Sequence, residues 1–303
     1  MVDLYYENDD PHNSIILAHK NDLTGGKNYV QKFTFPFLST IKNWLDDPEH
    51  ENDIITIHLE SYVRSYKKII YELDAVDAKD EDKISKPKLK SYLFDLCEYN
   101  GAKAKEGSAE CYSSAGKPLD PQKLQWPTLG EMRKSNKRLV IFSDKAEDAG
   151  YGIMHVSNTM ETQYNLSKYP SCEMRREGRL LKAPIFTMNH FYRLQAVPLG
   201  IGRHYEKKKA NKFDKTAARV GICTFQEKQW PNFIAVDNVG FEEDETRQIV
   251  LAINNRHNEI CYYVAQKTVF TEKFEDTDKG GHQDSGHVDT KSNDKDLEYR
   301  DEL

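Results

Sequence analysis

No run of about 18 apolar residues occurs in this chain, which excludes a bilayer-spanning helix on length. The opening stretch, MVDLYYENDD, lacks the basic leader and apolar centre of a signal peptide. Positive charge is not in excess: 43 Lys and Arg stand against 49 Asp and Glu, for a net charge of −6. A field of that sign does not draw nucleic acid or anionic lipid to the surface as a whole. The stretch from Glu206 to Lys212 (EKKKANK) is a local exception and reads more simply as a solvated loop than as a membrane contact. Cysteine is scarce. The five residues Cys97, Cys111, Cys172, Cys223 and Cys261 show no C-x-x-C spacing, so nothing points to a zinc site. An odd number fits either reduced thiols or a disulfide set that has lost one partner.

What the chain does have is a core and a rhythm. Hydrophobic residues make up 38% of the 303 positions and aromatics 11%, enough for one large domain. Short apolar runs each end in a polar or ionisable residue: Ser14 to His19, Asp53 to Glu60, Arg138 to Asp144, Ala183 to His190 and Pro231 to Asp237. Val2 to Tyr6 reads as one more. Near-continuous runs rich in β-branched residues are the mark of parallel strands buried on both faces. Helical patterns fall between them. Phe37, Leu38, Ile41, Trp44 and Leu45 share a face, Thr128 and Glu131 form a capping box, and Ile249, Val250 and Ile253 mark a later helix. Strand–helix alternation predicts an α/β fold around a parallel sheet, with its active site at the strand C-terminal ends. Asp74 to Lys88 and Glu98 to Gln122 read as polar insertions. Residues 271–303 are nearly devoid of apolar side chains and read as a disordered tail, leaving 1–270 as the folded domain.

The ordered set Val2-Asp3-Leu4-Tyr5, Ile15-Ile16-Leu17-Ala18-His19, Ile41-Lys42-Asn43-Trp44-Leu45, Ile54 to Glu60, Trp126 to Met132, Arg138 to Ser143 and Trp230 to Asp237 resembles the X domain of phosphatidylinositol-specific phospholipase C. The likeness runs from residue 1 to about 255 and is greatest to compact X-domain-only proteins. It implies a TIM-type (β/α) barrel, with the first two runs as the second and third barrel strands. It also implies cleavage of an inositol phospholipid through a cyclic inositol phosphate, by two histidines helped by an arginine or by calcium. That chemistry needs a base, an acid and positive charge on the phosphate.

Carried over by position, His19 matches the second catalytic histidine; its plain alternative is a histidine leaving the core at a strand end. The first histidine belongs to a T-H-N-S-like strand expected ahead of Val2, and none is present here. His12-Asn13-Ser14 imitates that motif, but in a turn one strand too late. Asp237 matches a carboxylate that orients the first histidine, with a loop-capping aspartate as the alternative. Asp3 and Glu60 match calcium ligands of the calcium-dependent branch, yet neither the calcium set nor the arginine alternative is complete, because Tyr5 stands where the arginine would be. Ser143, Lys145, Asn189 and Tyr192 would line the head-group pocket.

Arg300-Asp301-Glu302-Leu303 resembles an endoplasmic-reticulum retention signal, and Asn165-Leu166-Ser167 is a glycosylation sequon. Together they predict a secretory or reticulum-lumenal location, provided a longer form supplies a signal peptide. The expected partner is a phosphoinositide or glycosyl-phosphatidylinositol at a membrane surface, not nucleic acid. Two further readings stand beside the hydrolase. One is a catalytically impaired barrel that binds inositol lipid or a protein; the other is a barrel of different chemistry.

Overall fold

The computed structural model describes residues 1–20, 27–78, 88–163, 171–175, 182–191, 211–236 and 245–255. Three strands open the chain as a meander: β1 (Val2–Tyr6), β2 (Ile15–Lys20) and β3 (Lys27–Lys32). β2 runs antiparallel to β1, with Leu4 opposite Leu17, and β3 antiparallel to β2. This corrects the parallel reading of Ser14 to His19. The connection from Glu7 to Ser14 is too short for a parallel crossover, which needs about a dozen residues or more. His12 and Asn13 sit in that connection as a surface turn, Asn13 Nδ2 donating to the Glu7 carbonyl at 3.1 Å.

The chain then alternates. α1 (Ser39–Asp46) leads to β4 (Ile55–Ser61), and α2 (Tyr66–Ala78) follows it. Next come α3 (Leu96–Tyr99), a small hairpin of β5 (Lys103–Ala104) and β6 (Cys111–Tyr112), α4 (Leu129–Lys134) and β7 (Leu139–Ser143). β8 (Ile153–His155), β9 (Met160–Glu161), β10 (Phe186–His190), α5 (Phe213–Glu227), β11 (Phe233–Val236) and α6 (Thr246–Asn255) complete the described elements. The capping box forms as expected: Thr128 Oγ1 accepts from Glu131 N–H at 3.2 Å, and Glu131 Oε2 accepts from Thr128 N–H at 2.7 Å. Both supposed insertions contain regular structure. α2 extends through Ala78, and the stretch after Glu98 is a hairpin pinned by the Cys97–Cys111 disulfide. A second disulfide joins Cys172 to Cys223, while Cys261 lies outside the described residues.

β1, β4, β7 and β8 are mutually parallel within a six-stranded sheet of order β3-β2-β1-β4-β7-β8. β9, β10 and β11 form a second, three-stranded parallel sheet. The fold is thus α/β around parallel sheet, and among the described residues the strands outside the β5–β6 hairpin make two sheets rather than one closed ring. The period of two along β4 explains how a cavity arises between them. Ile57 and Leu59 turn outward into a core with Leu38 and Leu45 and with Ile69 and Leu73 of α2. Each such buried side chain contributes roughly 2 kcal/mol. Thr56, His58 and Glu60 turn the other way. His58 stacks on Phe142 of β7 at 5.0 Å and meets Phe233 of β11 edge-on at 5.5 Å, so one ring touches both sheets. Trp44 departs from the expected apolar face: it is exposed and stacks on His50.

Candidate active site

Between the two sheets lies a cavity of about 430 Å³ whose lining takes in the C-terminal ends of β4, β8, β9 and β10 and the residues just after β7. Its polar lining comes from successive elements: Thr56, His58 and Glu60 of β4, Asp144 and Lys145 after β7, His155 of β8, Glu161 of β9, Arg175, and Thr187 and Asn189 of β10. Phe191, Phe233 and Ala235 give it an apolar side. Residues at the ends of different strands converge here because parallel strands all present their C-terminal ends at one face.

Each of the cavity's lysine and arginine side chains has a carboxylate beside it. Lys145 Nζ lies 2.6 Å from Asp144 Oδ2, and Asp144 Oδ1 accepts from Ser61 N–H at 2.8 Å. Arg175 Nη1 donates to Glu161 Oε1 at 2.9 Å. Glu60 accepts from the Tyr62 hydroxyl at 2.7 Å, and that bond, with burial, pushes the Tyr62 phenol far above its ordinary range. His155 Nδ1 lies 2.7 Å from the Ser157 hydroxyl and 3.2 Å from Ser157 N. The set can hold an anion between two cations and can exchange protons with it through imidazoles and carboxylates.

The residues expected from sequence fall into three groups. Glu60, Lys145 and Asn189 line the cavity. Asp3 and His19 are not in the lining; Asp3 is the register partner of Glu60, and its Oδ2 lies 3.1 Å from His19 Nδ1. The β2–β3 ladder is irregular between Leu17 and His19, the kind of bulge that re-aims a side chain. The His19 side chain is nevertheless 78% exposed and is not part of the lining. Ser143 also lies outside the lining. It is fully buried, donates to Asp148 Oδ2 at 2.8 Å and accepts from Lys145 N–H at 3.2 Å. Asp237 and Tyr192 lie outside the described residues, next to Val236, which ends β11, and Phe191.

A family model described as PI-PLC X 1 matches residues 98–252, about half of the chain. The chain belongs to the PI-PLC X-domain family. A PI-PLC X domain-containing protein 1 from Arthroderma benhamiae is 22% identical over 210 residues, which cover 66% of this chain and 58% of that relative. The chain therefore spans less than two thirds of the relative's length. No solved structure matches it.

For a calcium-dependent X domain, Asp3 and Glu60 are the pair to examine. They sit side by side, but they bring two carboxylates to a cation that takes about six to eight oxygens. One of them pairs with His19 and the other with Tyr62. Among the described residues no three His, Cys, Asp or Glu side chains gather as a metal site.

Sequence reasoning missed His58, His155, Glu161 and Arg175. A signal for His58 was present in Thr56-Ile57-His58-Leu59-Glu60, where polar and apolar residues alternate. Arg175 offered none, since it lies on no strand and its carboxylate partner is 14 residues away.

Proposed function

We propose that this X domain is a phosphoric diester hydrolase of the phosphatidylinositol-specific phospholipase C type, acting on phosphatidylinositol or a glycosyl-phosphatidylinositol at a membrane surface. The observation that carries the reading is the cavity between the two sheets, whose lining includes both Lys145 and Arg175 among imidazoles and carboxylates. In this reading the two sheets are parts of one (β/α) barrel, which fits His58 touching both.

The inositol 2-hydroxyl oxygen attacks phosphorus and the bond to the glycerol oxygen breaks. The hydroxyl proton leaves to a base, and an acid returns one to the departing diacylglycerol. The product is a cyclic inositol phosphate, which water then opens. Lys145 and Arg175 stabilise charge building on the phosphoryl oxygens. His19 serves as acid, with Asp3 fixing its tautomer. The two disulfides support an oxidising, secretory or reticulum-lumenal setting.

A second reading, a barrel that binds inositol lipid without turning it over, draws support from the exposure of His19 outside the lining. Incubation of the protein with phosphatidylinositol vesicles, with release of cyclic inositol phosphate followed, separates the two. The hydrolase reading expects product from the wild type and its loss in His19→Ala. Undiminished turnover in His19→Ala removes His19 from the mechanism, and vesicle binding without any product favours the second reading.

A further inference from the structure

Arg175 does not sit on a strand that fixes its direction. Its segment, residues 171–175, meets the three-stranded sheet through an antiparallel bridge between Met174 and Thr162. Backbone bonds from Arg175 N to Glu161 O and from Gln163 N to Glu173 O, each 2.8 Å, reinforce that contact. What holds the segment from behind is one face of α5. Arg219 and Cys223 are four residues apart and share that face. Arg219 Nε donates to the Ser171 carbonyl at 3.0 Å, and Cys223 is disulfide-bonded to Cys172 with their Cα atoms 5.1 Å apart.

The same guanidinium donates to the carbonyl of Asn189 and, through Nη2, to Thr162 Oγ1 at 3.2 Å. Asn189 lines the cavity, and Thr162 follows Glu161, the carboxylate that pairs with Arg175. Arg219 and both cysteines are buried. One helix face therefore fastens three stretches that each bring a polar side chain to the cavity. The other disulfide, Cys97–Cys111, belongs to the hairpin after α3 and to a separate core cluster.

We propose that the Cys172–Cys223 disulfide, together with Arg219, is a positioning device that holds Arg175 against Glu161 in the cavity, and that anion binding in the cavity depends on it. The dependence of binding rests on the phosphodiesterase reading; the positioning of Arg175 does not.

The full chain is compared as wild type, Cys172→Ser/Cys223→Ser, Cys97→Ser/Cys111→Ser, Arg175→Ala, and Arg175→Ala combined with the first pair. Two quantities are measured: the rate at which phenylglyoxal modifies Arg175, read by peptide mass, and the affinity for myo-inositol 1-phosphate. Loss of Cys172–Cys223 is expected to speed modification of Arg175 several-fold and to weaken affinity about tenfold, the scale of one charged hydrogen bond. Loss of Cys97–Cys111 is expected to change neither. In the Arg175→Ala background, loss of the clip is expected to cost no further affinity, because the two act through one group.

Equal modification rates in the two cysteine variants overturn the proposal, and so does an additive loss of affinity. A wild type that does not bind the phosphate ends the phosphodiesterase reading, while the modification rates still decide the clip. If the Cys172→Ser/Cys223→Ser protein does not fold, Arg219→Lys with both disulfides intact takes its place. Faster modification of Arg175 is again the supporting result and an unchanged rate the overturning one.

Discussion

The two cations of the cavity are held in opposite ways. Lys145 is anchored by its own neighbourhood. Asp144 lies beside it in sequence, its backbone N–H reaches the Ser143 hydroxyl, and that hydroxyl reaches Asp148. The most distant member of the group is Ser61, 83 residues back in the chain but brought alongside by the pairing of β4 with β7, and its N–H donates to Asp144. Arg175 is anchored by residues far along the chain. The bond from Arg219 to Ser171 spans 48 residues and the Cys172–Cys223 disulfide spans 51. A turn that follows a strand inherits its geometry from the sheet, so local hydrogen bonds suffice. The Arg175 segment meets its sheet through a single bridge and adds the fastening of Arg219 and the disulfide.

The sharpest way to break this contrast is to remove the buried arginine behind Arg175 and, as a control, one far from the cavity. Arg219→Met takes away donors to the Ser171 and Asn189 carbonyls and to Thr162 Oγ1. It is expected to cost about 4 kcal/mol in urea unfolding and to weaken anion binding in the cavity. Arg138→Met is the matched control. Arg138 is also buried, donates to the His50 and Leu45 carbonyls at 2.9 and 2.6 Å, and lies over the Tyr92 ring. It stands at the other end of the parallel strands, just before β7, where it ties down the last turn of α1. Its loss is expected to cost about 3 kcal/mol and leave anion affinity unchanged. If both variants lose affinity alike, the link between Arg219 and the cavity is no more than general stability.

The same contrast explains how much was legible in the sequence. Strands β1, β4, β7, β10 and β11 show as apolar runs, β7 and β10 being buried along their whole length, and Lys145 could be found by counting past the end of β7. Thr128 and Glu131 declare their helix because a capping box is complete within four residues. β2 was found as a strand and misread in direction, since an apolar run carries no sign of its partner's polarity; the short connection from Tyr6 did. β8 and β9 are too short to show a period. Arg175, Glu161 and Arg219 were invisible for a different reason: nothing in a linear pattern says that residues 14 and 48 apart will meet.

A smaller effect tests the local side. Ser143→Ala removes the hydroxyl between Lys145 N–H and Asp148 and leaves both without that partner inside the protein. The expected cost is about 2 kcal/mol, read from the urea midpoint. Anion affinity should fall less than in Arg219→Met, because Asp144 still holds the Lys145 ammonium and is itself held by Ser61. A loss of affinity as large as that of Arg219→Met would show that Lys145 depends on its backbone anchor as fully as Arg175 depends on its clip.

The smallest effect comes from Asp148, and its signature is a slope with pH. Burial pushes its carboxyl above the ordinary value of 3.8, against the pull of the Ser61 and Ser143 hydroxyls and the Ser65 backbone, and the nearby Asp144 charge adds to the rise. The folded protein therefore keeps a proton that the unfolded chain gives up. The stability this group contributes is complete below 3.8 and is lost as pH rises through the higher folded value. Asp148→Asn keeps an oxygen to accept from Ser143 and removes the titration, so its unfolding free energy should decline less steeply with pH above 3.8 than that of the wild type. Glu72, on α2, is shifted the same way by burial, so Glu72→Gln should flatten the slope too, by a route that does not touch Lys145. Parallel slopes for wild type and Asp148→Asn would mean that Asp148 is ionised in the folded protein at no cost. Ser61, Ser143 and Ser65 would then outweigh its burial, and the local side of the cavity would be held by a charge rather than by a shared proton.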